Sequence, residues 1–283
     1  MRFGVNTMIW SGAFDASIPL AAIKKAGVDG IEIPLFDPSA LDVAAFRKSL
    51  ADHALACTVC SVNPPGKNPL SDDPAARAAA LEHWTRIIDV VAETGSDMLV
   101  GPSCSPVGYL PGRRRTPDEW KRGVEFHQRL IPALEQAGVH LAVEPLNRFE
   151  TYFLNTAADA VQFVEEIGNS RIGILFDTFH ANIEEKDVAA ACRACGPWLK
   201  HVHTCENDRG IPGTGHVDWN GLFLALKDIG YDSWLTIESF NSGIPEIAAA
   251  TAIWRDLAPA PGDIALQGTA FLQRAWASMG GRA

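Results

Sequence analysis

The chain has 283 residues, 47% of them hydrophobic, and carries 34 Asp and Glu against 24 Lys and Arg. Such a length buries a sizeable core, in one large domain or two ordinary ones. The formal net charge of −10 argues against a nucleic-acid backbone or an anionic membrane surface as the main partner.

Short apolar, β-branched runs alternate with amphipathic stretches along the whole chain. FGVNTM (3–8) reads as a first strand and 17–26 as the helix after it. GIEIP (30–34), ALACTVCSV (54–62) and DMLVG (97–101) are the next strands, followed by helices over 40–52, 73–94 and 117–137. VHLAVE (139–144) and IGILFD (172–177) precede helices over 156–167 and 185–195. LKHVHTC (199–205) and WLTIES (234–239) precede helices over 218–229 and 245–257. The segment 258–268 reads as a loop, and 269–278 as a last helix outside the repeat.

Several of these strands are continuous apolar runs, as expected of parallel strands covered on both faces. In 73–94, Leu81, Trp84, Ile87, Ile88 and Val91 follow three-and-four spacing. Pro74 and Pro117 open helices, while Gly27, Gly95, Gly138 and Gly230 close them. Eight strand–helix units of about 30 residues match a single (β/α)8 barrel of about 250 residues, a TIM barrel, spanning 1–283. The competing architecture, a doubly wound open sheet, lacks its G-x-G-x-x-G after the first strand.

No stretch approaches the roughly 18 uninterrupted apolar residues of a membrane span. The start, MRFGVNTMIW, has neither a long apolar run nor a small-residue cleavage site, which leaves the cytoplasm as the expected location. Of the six cysteines, Cys57 and Cys60 share a strand and should face opposite ways, whereas Cys192 and Cys195 share a helical face. Buried reduced thiols are expected, not a zinc site.

In a (β/α)8 barrel the chemistry gathers at the C-terminal ends of the strands. Strand five ends in Glu144, strand six in Asp177, strand seven near His203 and strand eight in Glu238. A lone acid at a strand end is ordinarily a cap or a solvated turn residue. Four successive strands each delivering a metal-competent group are harder to dismiss, and three converging carboxylates would force protons onto one another without a cation. Three carboxylates and one imidazole form a hard, oxygen-rich set that suits one divalent ion, Mn²⁺ first, with Mg²⁺ or Co²⁺ as alternatives. A centre left with one net negative charge should prefer a neutral oxygen ligand, such as a sugar's carbonyl and hydroxyl, over a phosphate. Glu150, His180 and Arg209 follow these positions in the loops that would roof the pocket, where uncharged hydroxyls need hydrogen-bonding partners. Trp10 is a candidate wall of the same pocket, and Asn147 and Arg148 are candidate supports.

EPLNRFETYFLNT (144–156), DTFHANIEE (177–185), HVHTCENDRGIPGTGHVDW (201–219) and TIESF (236–240) resemble the ketose 3-epimerases. That family, of D-tagatose 3-epimerases and D-psicose (allulose) 3-epimerases, lies within the xylose-isomerase-like barrels. The likeness sits in the C-terminal half; the N-terminal half matches mainly in its strand–helix rhythm. One departure is Ser239, where relatives often carry Pro after the strand-eight Glu. The resemblance implies metal ligation by Glu144, Asp177, His203 and Glu238, and substrate contacts from Glu150, His180 and Arg209. It implies inversion at C3 of a free ketose through an enediolate, with Glu144 and Glu238 as the two acid/bases on opposite faces. It also suggests a homodimer or homotetramer.

Three rivals remain open at this stage. An aldose–ketose or hydroxypyruvate isomerase would use the same barrel and can work from one face. A metal-dependent DNA-repair endonuclease would need further ligands and a basic face. A non-catalytic sugar-binding barrel would not need a complete metal set. Arg113, Arg114 and Arg115 follow strand four and could clamp a phosphate, against the simpler reading of a solvated loop or subunit contact.

Overall fold

A computed structural model describes residues 1–280. Eight parallel strands, β1 (Arg2–Asn6), β2 (Gly30–Pro34), β3 (Ala56–Cys60), β4 (Met98–Gly101), β5 (His140–Val143), β6 (Ile172–Asp177), β7 (Leu199–His203) and β8 (Trp234–Ile237), pair in sequence order. The barrel closes where β1 pairs with β8, with Arg2 opposite Trp234 and Val5 opposite Ile237. Helices α1 (Leu20–Lys25), α2 (Val43–His53), α3 (Pro74–Thr94), α4 (Pro117–Ala137) and α5 (Ala157–Ile167) surround its first five strands. They are followed by α6 (Thr178–Glu184), α7 (Val188–Cys195), α8 (Trp219–Asp228), α9 (Pro245–Thr251) and α10 (Pro261–Ser278). The expected (β/α)8 architecture is therefore present, with a C-terminal helix added.

The period-2 geometry of a strand sorts each one into two faces. Leu99, Leu141, Val143, Ile174 and Phe176 face the helices and join the main core. Their neighbours Met98, Val100, Ala142 and Leu175 form a separate cluster inside the barrel with Cys60 and Met8. At the N-terminal end of the interior, the Trp234 indole takes the space left by two glycines. A Cβ on Gly30 would stand 2.6 Å from that indole, and one on Gly4 would stand 3.3 Å from it.

Three expectations from sequence are corrected. Residues 178–184 are helical, not loop, because Asp177 Oδ1 accepts the Phe179 N–H at 2.6 Å and caps a new helix directly on the strand end. The helix expected over 245–257 stops at Thr251, where Ala252 adopts a left-handed conformation. The last helix begins at Pro261, eight residues before the expected start, so 258–268 is mostly not a loop. Gly268, inside this helix, marks close packing. A Cβ there would stand 2.6 Å from Pro212 and 2.9 Å from Ile237, which shows how tightly α10 lies on the barrel.

No helix among the described residues is long and apolar enough to cross a membrane. All six cysteines are free and buried. Cys57 Sγ lies 3.8 Å from Thr94 of α3, while Cys60 Sγ faces Asn6 inside the barrel at 3.5 Å, so this pair does point opposite ways.

The account of the barrel floor is directly testable. Gly30→Ala would press a methyl group against both Trp234 and the Ala56 carbonyl, each 2.6 Å away. Overpacking of this kind costs about 1–3 kcal/mol, so the urea midpoint should fall accordingly. An unchanged midpoint would mean that Trp234 does not fill the floor as described.

Candidate active site and metal centre

The C-terminal ends of β5 to β8 bring Glu144, Asp177, His203 and Glu238 together, with one ligand atom from each lying within 4.8 Å of all the others. All four are buried. His203 Nδ1 stands 3.8 Å from Glu144, 3.7 Å from Asp177 and 3.5 Å from Glu238. That atom has no hydrogen-bond partner. Distances of this size are too long for hydrogen bonds, yet an unpartnered buried imidazole nitrogen is costly. A divalent ion among the four would satisfy the nitrogen and the carboxylates at once, so the residues present fit the expected metal.

Local structure aims each group. Asp177 spends Oδ1 on capping α6 and turns Oδ2 toward the cluster. His203 donates Nε2–H to Glu32 Oε1 at 2.8 Å. Glu238 Oε2 accepts from Arg209 Nη1 at 2.5 Å, leaving Oε1 toward His203. The Glu144 backbone N–H donates to the Gly101 carbonyl at 3.1 Å. Gly101 itself has φ +127°, and a Cβ there would meet the Ser61 carbonyl at 2.3 Å, so only glycine fits beside that strand end.

The electrostatics state the same conflict in another form. Burial, with the Glu238 and Asp177 charges, pushes the Glu144 carboxyl well above its usual range. Burial acts upward on Asp177 too, but His180, His203 and Arg209 outweigh it and hold that carboxyl low. Glu238 is likewise lowered against burial, by His203 and Arg209. The His203 imidazole rises despite burial because Glu238 and Glu32 face it. Positive charge at the centre of the cluster is what all four environments ask for.

Arg209 is almost fully buried. Its guanidinium lies between the rings of Phe179 (4.1 Å) and Phe240 (4.6 Å). Its φ of +62° is unusual for a residue with a side chain. Ser239, the departure noted above, donates its hydroxyl to the Arg209 carbonyl at 2.6 Å and so secures that conformation. The same loop is knitted by buried Glu206, which accepts the N–H groups of Gly213 (2.7 Å) and Val217 (3.0 Å) and the Trp219 indole (3.1 Å). His180 receives the Asn147 backbone N–H at 3.0 Å and its amide at 2.9 Å, both on Nδ1. Nε2 faces the Arg209 Nη2 donor at 3.2 Å, so both ring nitrogens of His180 are engaged. Asn147 also donates to Glu150 at 2.9 Å, and Arg148 pairs with Glu184 through Nε (2.9 Å) and Nη2 (3.0 Å), tying the β5 loop to α6.

A cavity of about 420 Å³ opens onto Glu144, His203 and Glu238, and Glu150, His180 and Arg209 line it as well. Much of its remaining wall is apolar, with Met8, Phe36, Val62, Pro64, Leu146 and Ile247, and Ser61, Asn63, Glu246 and Thr251 add polar groups. Trp10 is not part of that lining. It is half-buried beside α10, its indole nitrogen 3.4 Å from the place a Cβ on Gly262 would take, and Met8 stands on the cavity side instead. Arg113 and Arg115 do not line the cavity either. Arg113 makes two 2.9 Å bonds to Glu119, holding that carboxyl down to about 2, and Arg115 binds the Phe153 carbonyl and Asp159. Among the described residues, Arg209 is the one Lys or Arg in the lining.

Sequence reasoning passed over Glu32, Asn6, Thr58 and Glu206. Glu32 did leave a signal, as an acid in the interior of the apolar strand GIEIP. Thr58 and Asn6 left none, since either residue is unremarked at a strand position.

The xylose isomerase-like TIM barrel family matches residues 20–274. A probable ketose 3-epimerase from Synechocystis is 33% identical, the match covering 98% of this chain and 97% of that one. A D-psicose 3-epimerase from Agrobacterium fabrum is also 33% identical, with 91% of each chain covered. The crystal structure of a D-allulose 3-epimerase from Methylomonas in complex with D-allulose superposes with a TM-score of 0.92, at 31% identity and 97% coverage of both chains. The chain belongs to the ketose 3-epimerases, within the xylose isomerase-like TIM barrel family.

Proposed function

We propose that the protein inverts C3 of free ketoses, with D-allulose, D-fructose and D-tagatose as the first substrates to try. The observation that carries this reading is the pair Glu144 and Glu238. They reach one cavity from β5 and β8, 3.8 and 3.5 Å from His203 Nδ1. Inversion needs a base on each face of the carbon, and carboxylates on separate strands supply that arrangement. One carboxylate removes the C3 proton, and the other returns a proton to the opposite face; in the reverse reaction the two exchange roles. A divalent ion held by Glu144, Asp177, His203 and Glu238, with Mn²⁺ our first choice, would supply Lewis acidity at the sugar oxygens next to the reacting carbon.

Arg209 presents N–H groups, and Glu150 an acceptor, to the hydroxyls flanking that carbon, with His180 holding both in place through Asn147 and Arg209. The Arg209 guanidinium also keeps Glu238 ionised by its 2.5 Å contact, ready to accept a proton. The apolar wall from Met8 to Ile247 excludes water from the rest of the sugar. Because the single lining cation is already paired with Glu238, the cavity holds no free charge for a phosphate. This disfavours phosphorylated substrates and leaves Arg113 and Arg115 with a structural role. Residues 1–283 are taken as one domain, acting in the cytoplasm as a homodimer or homotetramer.

A free ketohexose incubated with the metal-loaded protein should give its 3-epimer, and a chelator should stop the reaction. An aldose product would instead support an isomerase, and faster turnover of phosphorylated ketoses would overturn the reading of the cavity. Glu238→Gln should lower both epimerisation and exchange of the C3 hydrogen with solvent by about 10²–10⁴-fold, the usual worth of a positioned acid/base. Near-normal epimerisation in that variant would remove the two-base assignment.

A further inference from the structure

Glu32 lies in the middle of β2, inside the barrel and wholly shielded from solvent. Among the described residues no Lys or Arg pairs with it, and its partners come from three other strands. Oε1 accepts Asn6 Nδ2–H from β1 at 2.9 Å and His203 Nε2–H from β7 at 2.8 Å. Oε2 accepts the Thr58 hydroxyl from β3 at 2.9 Å and lies 3.1 Å from His201 Nε2. A wholly buried carboxylate held only by an amide, a hydroxyl and two imidazoles is an expensive choice for simply filling a barrel.

The hydrogen-bond inventory of His203 suggests what that choice achieves. In the neutral form that can bind a metal the imidazole has one N–H, and Glu32 can only accept, so the proton sits on Nε2. Nδ1 is then a lone pair. It has no partner of its own, and the three carboxylates around it stand 3.5–3.8 Å away, beyond hydrogen-bond length. Asn6 and Thr58 lock the carboxylate that dictates this state. Asn6 is itself anchored, its Oδ1 accepting the Met8 N–H at 2.9 Å.

We propose that Glu32 is a positioning residue for the metal centre: it fixes the tautomer and the ring orientation of His203 and makes Nδ1 a stronger donor toward a divalent cation. The proposal rests on the reading of the site as a metal centre. The buried Glu32–His203 contact joins β2 to β7 across the barrel interior, so residues from the first half of the chain set the ligand strength of a site built by the second half.

The test is Mn²⁺ binding to the metal-free protein, followed through the electron paramagnetic resonance signal of free aqueous Mn²⁺. Glu32→Gln keeps the shape of the side chain and removes its charge. It should weaken Mn²⁺ binding by about 10- to 100-fold, the range for a lost carboxylate partner of a metal-bound histidine. A merely structural Glu32 would change the unfolding midpoint of the metal-free protein and leave the affinity of the folded protein alone, so both are measured. Should Glu32→Gln fail to fold, Thr58→Val removes one bond to the carboxylate and should weaken binding in the same direction. Unchanged affinity in the folded variant overturns the role of Glu32. Absence of Mn²⁺ binding by the parent protein overturns the metal reading itself, a distinguishable result.

Discussion

Three carboxylates and an imidazole meet in a space less than 5 Å across, largely shielded from water, and much of the barrel answers to that constraint. Unrelieved, it pushes Glu144 toward its protonated form and leaves a histidine nitrogen with nothing to bind. A divalent cation resolves both problems, and Arg209 supplies the remaining positive charge. With Arg209 counted, the three acids and one such ion are balanced, a more neutral centre than the ligand set alone suggested. A neutral, desolvated pocket suits an uncharged polyol better than a phosphate ester.

The scaffold keeps the cluster in register by giving each ligand a second task. Asp177 caps α6 with one oxygen and turns the other inward. His203 is held from behind by Glu32, and Glu238 from the side by Arg209. Arg209 in turn depends on two aromatic faces, on a hydroxyl from Ser239, and on a loop stitched by Glu206. A side chain that must satisfy two partners at once has few rotamers left, which is how a site made of long, flexible acids becomes preorganised.

Labour is divided along the chain, and this explains what could be read without coordinates. The strand ends of β5 to β8 carry charged residues after apolar runs, so Glu144, Asp177, His203 and Glu238 were legible from pattern alone, as were the barrel rhythm and most helix limits. The strands of the first half contribute mainly apolar wall, and a Met8 or Val62 at a cavity looks the same in sequence as one in a core. Trp10 illustrates the difficulty: two residues decide which side chain meets the cavity and which meets α10. Helix α6 was hidden because its cap is the metal-site aspartate, whose one visible role masked the other. The start of α10 was hidden because 258–268, with two prolines and two glycines, reads as a loop, although Gly268 is a contact too close for any side chain. Glu32 stood in plain view, but its significance needs His203 to be seen across the barrel, 171 residues away in sequence.

The central claim is that this buried cluster exists to hold one divalent ion. Diffraction from crystals of the protein grown with Mn²⁺, recorded at the manganese absorption edge, tests it most directly. The account predicts one anomalous peak enclosed by Glu144, Asp177, His203 Nδ1 and Glu238, with His203 Nε2 still on Glu32. An empty cluster in Mn²⁺-saturated crystals, or a peak bound elsewhere, would contradict it.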